Sequence, residues 1–211
     1  CVKFNRNQAM ARTFLEHKLD RLLTVRNNAR NTKMNTHNRT TELSGDTLAR
    51  CAATVAGCIA GERVNRRAVE GRGQSQGVTT DTQIEGHVRT GPVRHLLLVG
   101  TDYFYTNWRH SRDLVASSYV LPILNIFNPK ARGRAGYSDN LSPQVYTATI
   151  SSQNGIYFQD QLKFNRLRVT IGGRQDWARD NTLNVLTKSR YITNSNAFTW
   201  RAGAVYMSDN G

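Results

Sequence analysis

A chain of 211 residues carries 29 Lys and Arg against 15 Asp and Glu, a formal charge of +14, with 38% hydrophobic and 9% aromatic residues. Its 16 Gly and 4 Pro are too few, and its aromatics too many, for a disordered linker. The longest apolar run, Leu96-Leu97-Leu98-Val99, falls far short of the ~18 residues of a membrane helix.

So basic a chain invites a nucleic-acid reading, because Lys and Arg displace counterions from phosphates. The distribution disfavours it. Outside small clusters such as Arg63/Arg66/Arg67 and Arg132/Arg134, the bases stand singly in strand-like segments, with no zinc spacing or helix-turn-helix pattern beside them. Bases lining a wet surface fit better.

In chain order, strands are predicted near 4–18, 22–37, 64–89, 94–109, 145–163, 166–179 and 191–208. The fourth puts Leu97, Val99, Tyr103 and Tyr105 on one face and Gly100 and Asp102 on the other. In the sixth, Leu167, Val169, Ile171 and Gly173 alternate with Arg168, Thr170, Gly172 and Arg174. In the seventh, Phe198, Trp200, Ala202, Ala204 and Tyr206 share a face. This is period 2, the half-buried strand pattern.

The connections come in two lengths. Short ones fall at Leu19-Asp20-Arg21, Thr90-Gly91-Pro92 and Phe164-Asn165-Arg166, with another turn signal at Asp209-Asn210-Gly211; long ones are expected over 38–63, 110–144 and 180–190. Tight turns alternating with long loops on long strands describe an antiparallel transmembrane β-barrel, whose wet lumen lets half of each strand be polar. About seven strands do not make the even-numbered closed barrel usual in bacteria. The all-β fold is therefore expected as an incomplete barrel, 1–211 being a single partial barrel domain. A passive porin-like channel stands as the alternative within this class.

Gly155-Ile-Tyr-Phe-Gln-Asp-Gln161, Val169-Thr-Ile-Gly-Gly-Arg-Gln-Asp-Trp177 and Phe198-Thr-Trp-Arg-Ala-Gly203 resemble successive barrel strands of TonB-dependent siderophore receptors. Thr90-Gly-Pro-Val-Arg-His95, Gly100-Thr-Asp-Tyr103, Leu124-Asn-Ile-Phe-Asn-Pro129 and Thr24-Val-Arg-Asn-Asn-Ala-Arg30 resemble the same family, in the order of its ferrichrome-type (ferric hydroxamate) members. The resemblance implies a bacterial outer-membrane location and a barrel of about 22 strands with a plugged lumen; no plug is found in the chain. It implies a ferric siderophore as ligand, a TonB-type energy-transducing complex acting through the plug region, and outer-membrane lipid around the wall. Within it, Gly172, Gly173, Arg174, Asp176 and Trp177 belong to a family strand motif. The fragment by itself is expected to be inactive.

Cys51 and Cys58 lie in the first long loop. The family's cysteine pair in the corresponding loop implies a disulfide; two thiols on a short Ala-rich helix over Asp46–Arg63 is the other reading. The aromatics that such receptors place three and five positions before the first loop cysteine are here Leu48 and Asp46, which puts a ferrichrome-like pocket in doubt. His17, His37, His87, His95 and His110 share no metal-ligand spacing, so no metal site and no cofactor are expected, the iron arriving inside the siderophore. No nucleophile or carboxylate pair suggests an enzyme. Candidate ligand-binding residues are Tyr105, Trp108, Tyr119, Phe127 and Trp177, since flat aromatic faces suit a compact chelate. The competing role is the aromatic girdle at the lipid interface, favoured for Tyr103, Tyr105 and Tyr206 and evenly balanced for Trp108, Tyr119 and Trp177.

Overall fold

The computed structural model describes residues 3–43, 63–64, 66–115, 124–129 and 141–208. They form β1 (Lys3–Lys18), β2 (Leu23–Leu43), β3 (Arg63–Val64), β4 (Arg66–Thr90), β5 (Val93–Val115), β6 (Leu124–Asn125), β7 (Leu141–Phe164), β8 (Leu167–Asn184) and β9 (Ser189–Tyr206). A seven-stranded sheet runs in the order β1-β2-β4-β5-β7-β8-β9, every neighbour antiparallel, while β3 and β6 pair separately. It is an open meander with β1 and β9 as its edges.

Local chemistry closes each short turn. In the first, the Asp20 carboxylate accepts the Leu22 and Leu23 amides, both at 2.7 Å. In the second, Gly91 takes a φ of 58°, free for a residue without Cβ, and hands the chain to Pro92. In the third, Asn165 adopts a φ of 48°, which asparagine tolerates better than most residues.

The seven long strands lie where alternation predicts them, but most run further at the end away from these turns. The long loop expected over 180–190 is corrected to a tight turn over 185–188. There Asn184 Oδ1 accepts the Leu186 and Thr187 amides at 3.0 and 3.2 Å, and Lys188 takes a left-handed φ of 56°. Residues 38–43, 110–115 and 141–144, also expected in loops, extend β2, β5 and β7. These extensions are mostly polar, with Leu43, Leu114, Val115 and Leu141 gathered at their ends rather than alternating, so no apolar period announces them. Residues 63–64 pair with β6 instead of opening β4. Asp46, Leu48, Cys51, Cys58 and Tyr119 lie outside the described residues.

Among the described residues hardly anything is buried: Ala68 and Val69 are the buried apolar side chains, and Thr24 and Glu70 the buried polar ones. The sheet is a single layer. Its cohesion comes from ladder hydrogen bonds and cross-strand pairs rather than from a core.

Candidate functional site

Because side chains alternate, the register assigns every residue to a face. One face carries Ile84, Val99, Ile156, Phe158, Ile171, Phe198 and Trp200 across β4, β5, β7, β8 and β9. On this face the apolar stretch begins beside the short turns and ends at Val78, Tyr105, Trp177 and Phe198, after which Gln76, Asn107, Arg109 and Arg179 follow. From His95 to Tyr105 the strand covers about 33 Å, or roughly 25 Å across a bilayer at the usual ~40° tilt. That is the height of a lipid-facing band, with Tyr103, Tyr105 and Trp177 along its upper margin. The opposite face, rich in Arg, Asp, Gln and Thr, is the inner one.

The inner face is organised by ion pairs that span strands. Asp81 and Asp102 sit directly opposite each other on β4 and β5, an unfavourable arrangement for like charges. Two side chains from further along the sheet relieve it. The Tyr157 hydroxyl donates to Asp81 at 2.8 Å, and Arg174 reaches both oxygens of Asp102 at 2.5 and 3.0 Å. Arg174 also grips Asp176 at 2.8 and 2.6 Å, and Gln153 donates to Asp176 at 2.9 Å. Gly100 and Gly155 create the room: a Cβ at 100 would strike the Tyr157 ring, and one at 155 would strike the Arg174 guanidinium. A second bridge crosses β1, β2 and β4, where Arg26 donates to Glu16 and Glu85, both at 2.7 Å. A third, at the far end, joins Glu42 to Arg67 and Arg112 at 3.3 and 2.9 Å.

Beyond the apolar band, the outward face holds one enclosed carboxylate. Glu70 is 1% exposed and is met by His37 at 2.9 Å, Arg39 at 2.7 Å and Arg72 at 2.8 Å. Burial pushes its carboxyl up, but hydrogen bonds from Arg72, His37 and Arg39 outweigh burial and hold it below the ordinary carboxylate value.

The aromatics proposed for ligand binding divide between faces. Trp108 lies on the inner face opposite Ser75, stacked on His110 with centroids 5.4 Å apart and planes at 17°. Tyr105 and Trp177 lie on the outward face with Tyr103. Phe127 follows β6 and is 77% exposed, its amide donating to Asn125. Of the strand motif, Gly172, Arg174 and Asp176 face inward, whereas Gly173 and Trp177 face outward. Gly173 is needed where it stands, since a Cβ there would press on the Phe158 and Phe198 rings. Sequence reasoning missed Asp81, Phe104, Gln153 and Tyr157 on the inner face; the signal available was the pair of glycines, Gly100 and Gly155, interrupting strand alternation.

Comparison with known proteins agrees with this two-faced sheet. A family model described as TonB dependent receptor-like, beta-barrel, matches residues 2–211. The ferrichrome outer membrane transporter/phage receptor of Escherichia coli K12 is 28% identical over 99% of the chain, and the ferrioxamine B receptor of Salmonella typhimurium SL1344 is 31% identical over 71%. The chain spans 29% and 20% of their respective lengths. Among solved structures, the ferric-catecholate import receptor Fiu of E. coli K12 superposes over 98% of the chain and 34% of its own with a TM-score of 0.77, at 16% identity. The siderophore receptor PiuA of Acinetobacter baumannii gives 0.73 over 96% of the chain and 30% of its own, at 17% identity. At these identities the structures speak for the fold. With the family model matched along nearly its whole length, the chain belongs to the TonB-dependent receptor β-barrel family of outer-membrane proteins.

Proposed function

We propose that residues 1–211 form one stretch of the wall of a larger receptor that binds a ferric siderophore at its outer mouth and imports it. In this reading the inner face lines the path. Phe104 and Trp108, on that face at the level of the upper margin of the apolar band and above it respectively, offer flat surfaces to the chelate. Tyr105 and Trp177 serve the lipid interface instead. No bond is made or broken by the protein; iron passes as cargo, already chelated, and a TonB-type complex supplies the work through a plug region of the same receptor.

The observation that carries this is the family match over 2–211 on a sheet with one lipid-type face and one polar face. Relatives named for ferrichrome and ferrioxamine B support a siderophore of that kind. The test is uptake of radioactive iron, supplied as ferrichrome or ferrioxamine B, by cells whose only such receptor carries this chain within its full length. Saturable uptake that stops when the energy-transducing complex is deleted is the expected result. Uptake linear in concentration and indifferent to that deletion would make the protein a passive channel.

A further inference from the structure

Among the described residues, the outward face of the seven-stranded sheet, from the short turns up to Val78, Tyr105 and Trp177, carries no Lys or Arg and one carboxylate, Asp160. Asp160 stands on β7 between Leu162 and Phe158, opposite Leu97 on β5 and Ile171 on β8. A carboxylate on a lipid-facing wall is costly, so its partners matter. His95 Nδ1 meets Oδ2 at 2.8 Å, while the other oxygen, Oδ1, has no hydrogen-bond partner. The side chain keeps 15% of its surface open, and the terminal torsion of an aspartate is soft and near two-fold. Either oxygen can therefore turn to a donor arriving from lipid. Leu97, paired with Asp160, is two residues past His95, which sets the carboxylate about 5 Å of height inside the short-turn margin of the apolar band. At the next outward position along β7, Phe158, a groove of about 620 Å³ opens, the size of a small-ligand site. Ile84, Val99, Ile156, Phe158 and Phe198 line it, all further from the short turns than Asp160.

We propose that Asp160 and this groove hold one phospholipid with a primary-amine headgroup, drawn from the leaflet at the short-turn end. The ammonium pairs with the carboxylate and brings the charge and N–H donors that the wall supplies there only through His95. One acyl chain lies in the groove. The order of the two parts fits that leaflet, whose lipids point headgroups toward the short turns and chains toward the bilayer centre. A choline headgroup carries the charge but no N–H, and a glycerol headgroup carries no cation, so neither meets both demands. The site depends on the lipid-facing wall alone and stands whether or not a siderophore passes inside.

The test is native mass spectrometry of the full-length receptor carrying this chain, in detergent micelles doped with phosphatidylethanolamine, phosphatidylcholine or phosphatidylglycerol of identical acyl chains. One phosphatidylethanolamine should be retained, with affinity at least tenfold above that of phosphatidylcholine. Stepwise methylation of its nitrogen should weaken retention in steps, a series that needs no protein variant. Asp160→Asn should bring phosphatidylethanolamine down to the phosphatidylcholine level, Asp160→Glu should keep it, and both should run as the folded gel species. Val99→Trp, which fills the groove, should weaken retention about tenfold. Equal retention of the three lipids would make them ordinary solvent for the wall and overturn the proposal. So would tightest binding of phosphatidylglycerol, retention indifferent to Asp160→Asn or to Val99→Trp, or a receptor dimer in place of bound lipid. No siderophore enters the measurement, so loss of the receptor reading leaves these outcomes unchanged.

Discussion

The ring of Tyr157 lies across Gly100, occupying the place a side chain there would need, and its hydroxyl is delivered to Asp81 two strands away. An aromatic on β7 thereby reaches β4 only because β5 presents no side chain between them. The same device repeats one step further along, where the Arg174 guanidinium passes over Gly155 to Asp102.

Gly100→Val should therefore displace Tyr157 and undo the link to Asp81. Overpacking of this kind costs about 1–3 kcal/mol. In a full-length receptor, the folded, faster-migrating gel species should melt at a lower temperature. Tyr157→Phe keeps the ring and should lose about 1 kcal/mol. Equal melting of Gly100→Val and the parent would show that the crossing is not built as described.

Trp108 and Trp177 should separate cleanly. Trp108→Ala should weaken siderophore binding by about 2 kcal/mol, near thirty-fold, and leave the folded gel species intact. Trp177→Ala should lower the yield of folded receptor and leave affinity alone, because its ring lies on the outward face with Tyr103 and Tyr105. Ligand titration and gel mobility on the same preparations check both. The reverse pattern would exchange the two faces.

Glu70 sets a pH dependence for the part of β2 and β4 beyond the apolar band. Its carboxyl is depressed in the folded state, so its stabilisation is complete above the ordinary carboxylate value and is lost as pH falls through the lower folded value. Protease cleavage within 35–43 or 66–74 should rise at that acid limb and not between pH 6 and 8. Glu70→Ala, which removes the acceptor shared by Arg39, Arg72 and His37, should cost about 1–3 kcal/mol at neutral pH and flatten the acid limb. An unchanged limb in that variant would assign it to another group.

Orientation is open to chemical labelling. A cysteine at Thr187, in the turn at the far end of the sheet, should react with an impermeant thiol reagent on intact cells, and one at Asn165, in a turn at the near end, should not. Labelling at Asn165 alone inverts the membrane topology.

Much of the wall is legible in residue order because lipid demands alternation. Val99, Tyr103 and Tyr105 are separated by even numbers of residues and must share a face, whereas Trp108 is three beyond Tyr105 and must lie on the other. Whether Trp177 joins Tyr105 or Trp108 cannot be read by counting, since they are on different strands and only the register between β5, β7 and β8 decides. The Arg174 network failed for the same reason: Arg174 and Asp176 are near neighbours in sequence, but Asp102 lies 72 residues from Arg174. Past the bilayer alternation has no lipid to answer to, and residues 180–184 therefore read as loop while forming strand.

The strands outlast the lipid. On β4 the apolar band stops at Val78, yet the ladder with β2 continues to Arg66, about 40 Å further along the strand, or roughly 30 Å of height at a ~40° tilt. The lipid-facing band is thus met partway along the strands rather than at their far ends. Molecules arriving from that side would meet the far ends of these strands first, well clear of the bilayer surface. A change in the segments beyond the band can then be made without touching the part of the wall that faces lipid.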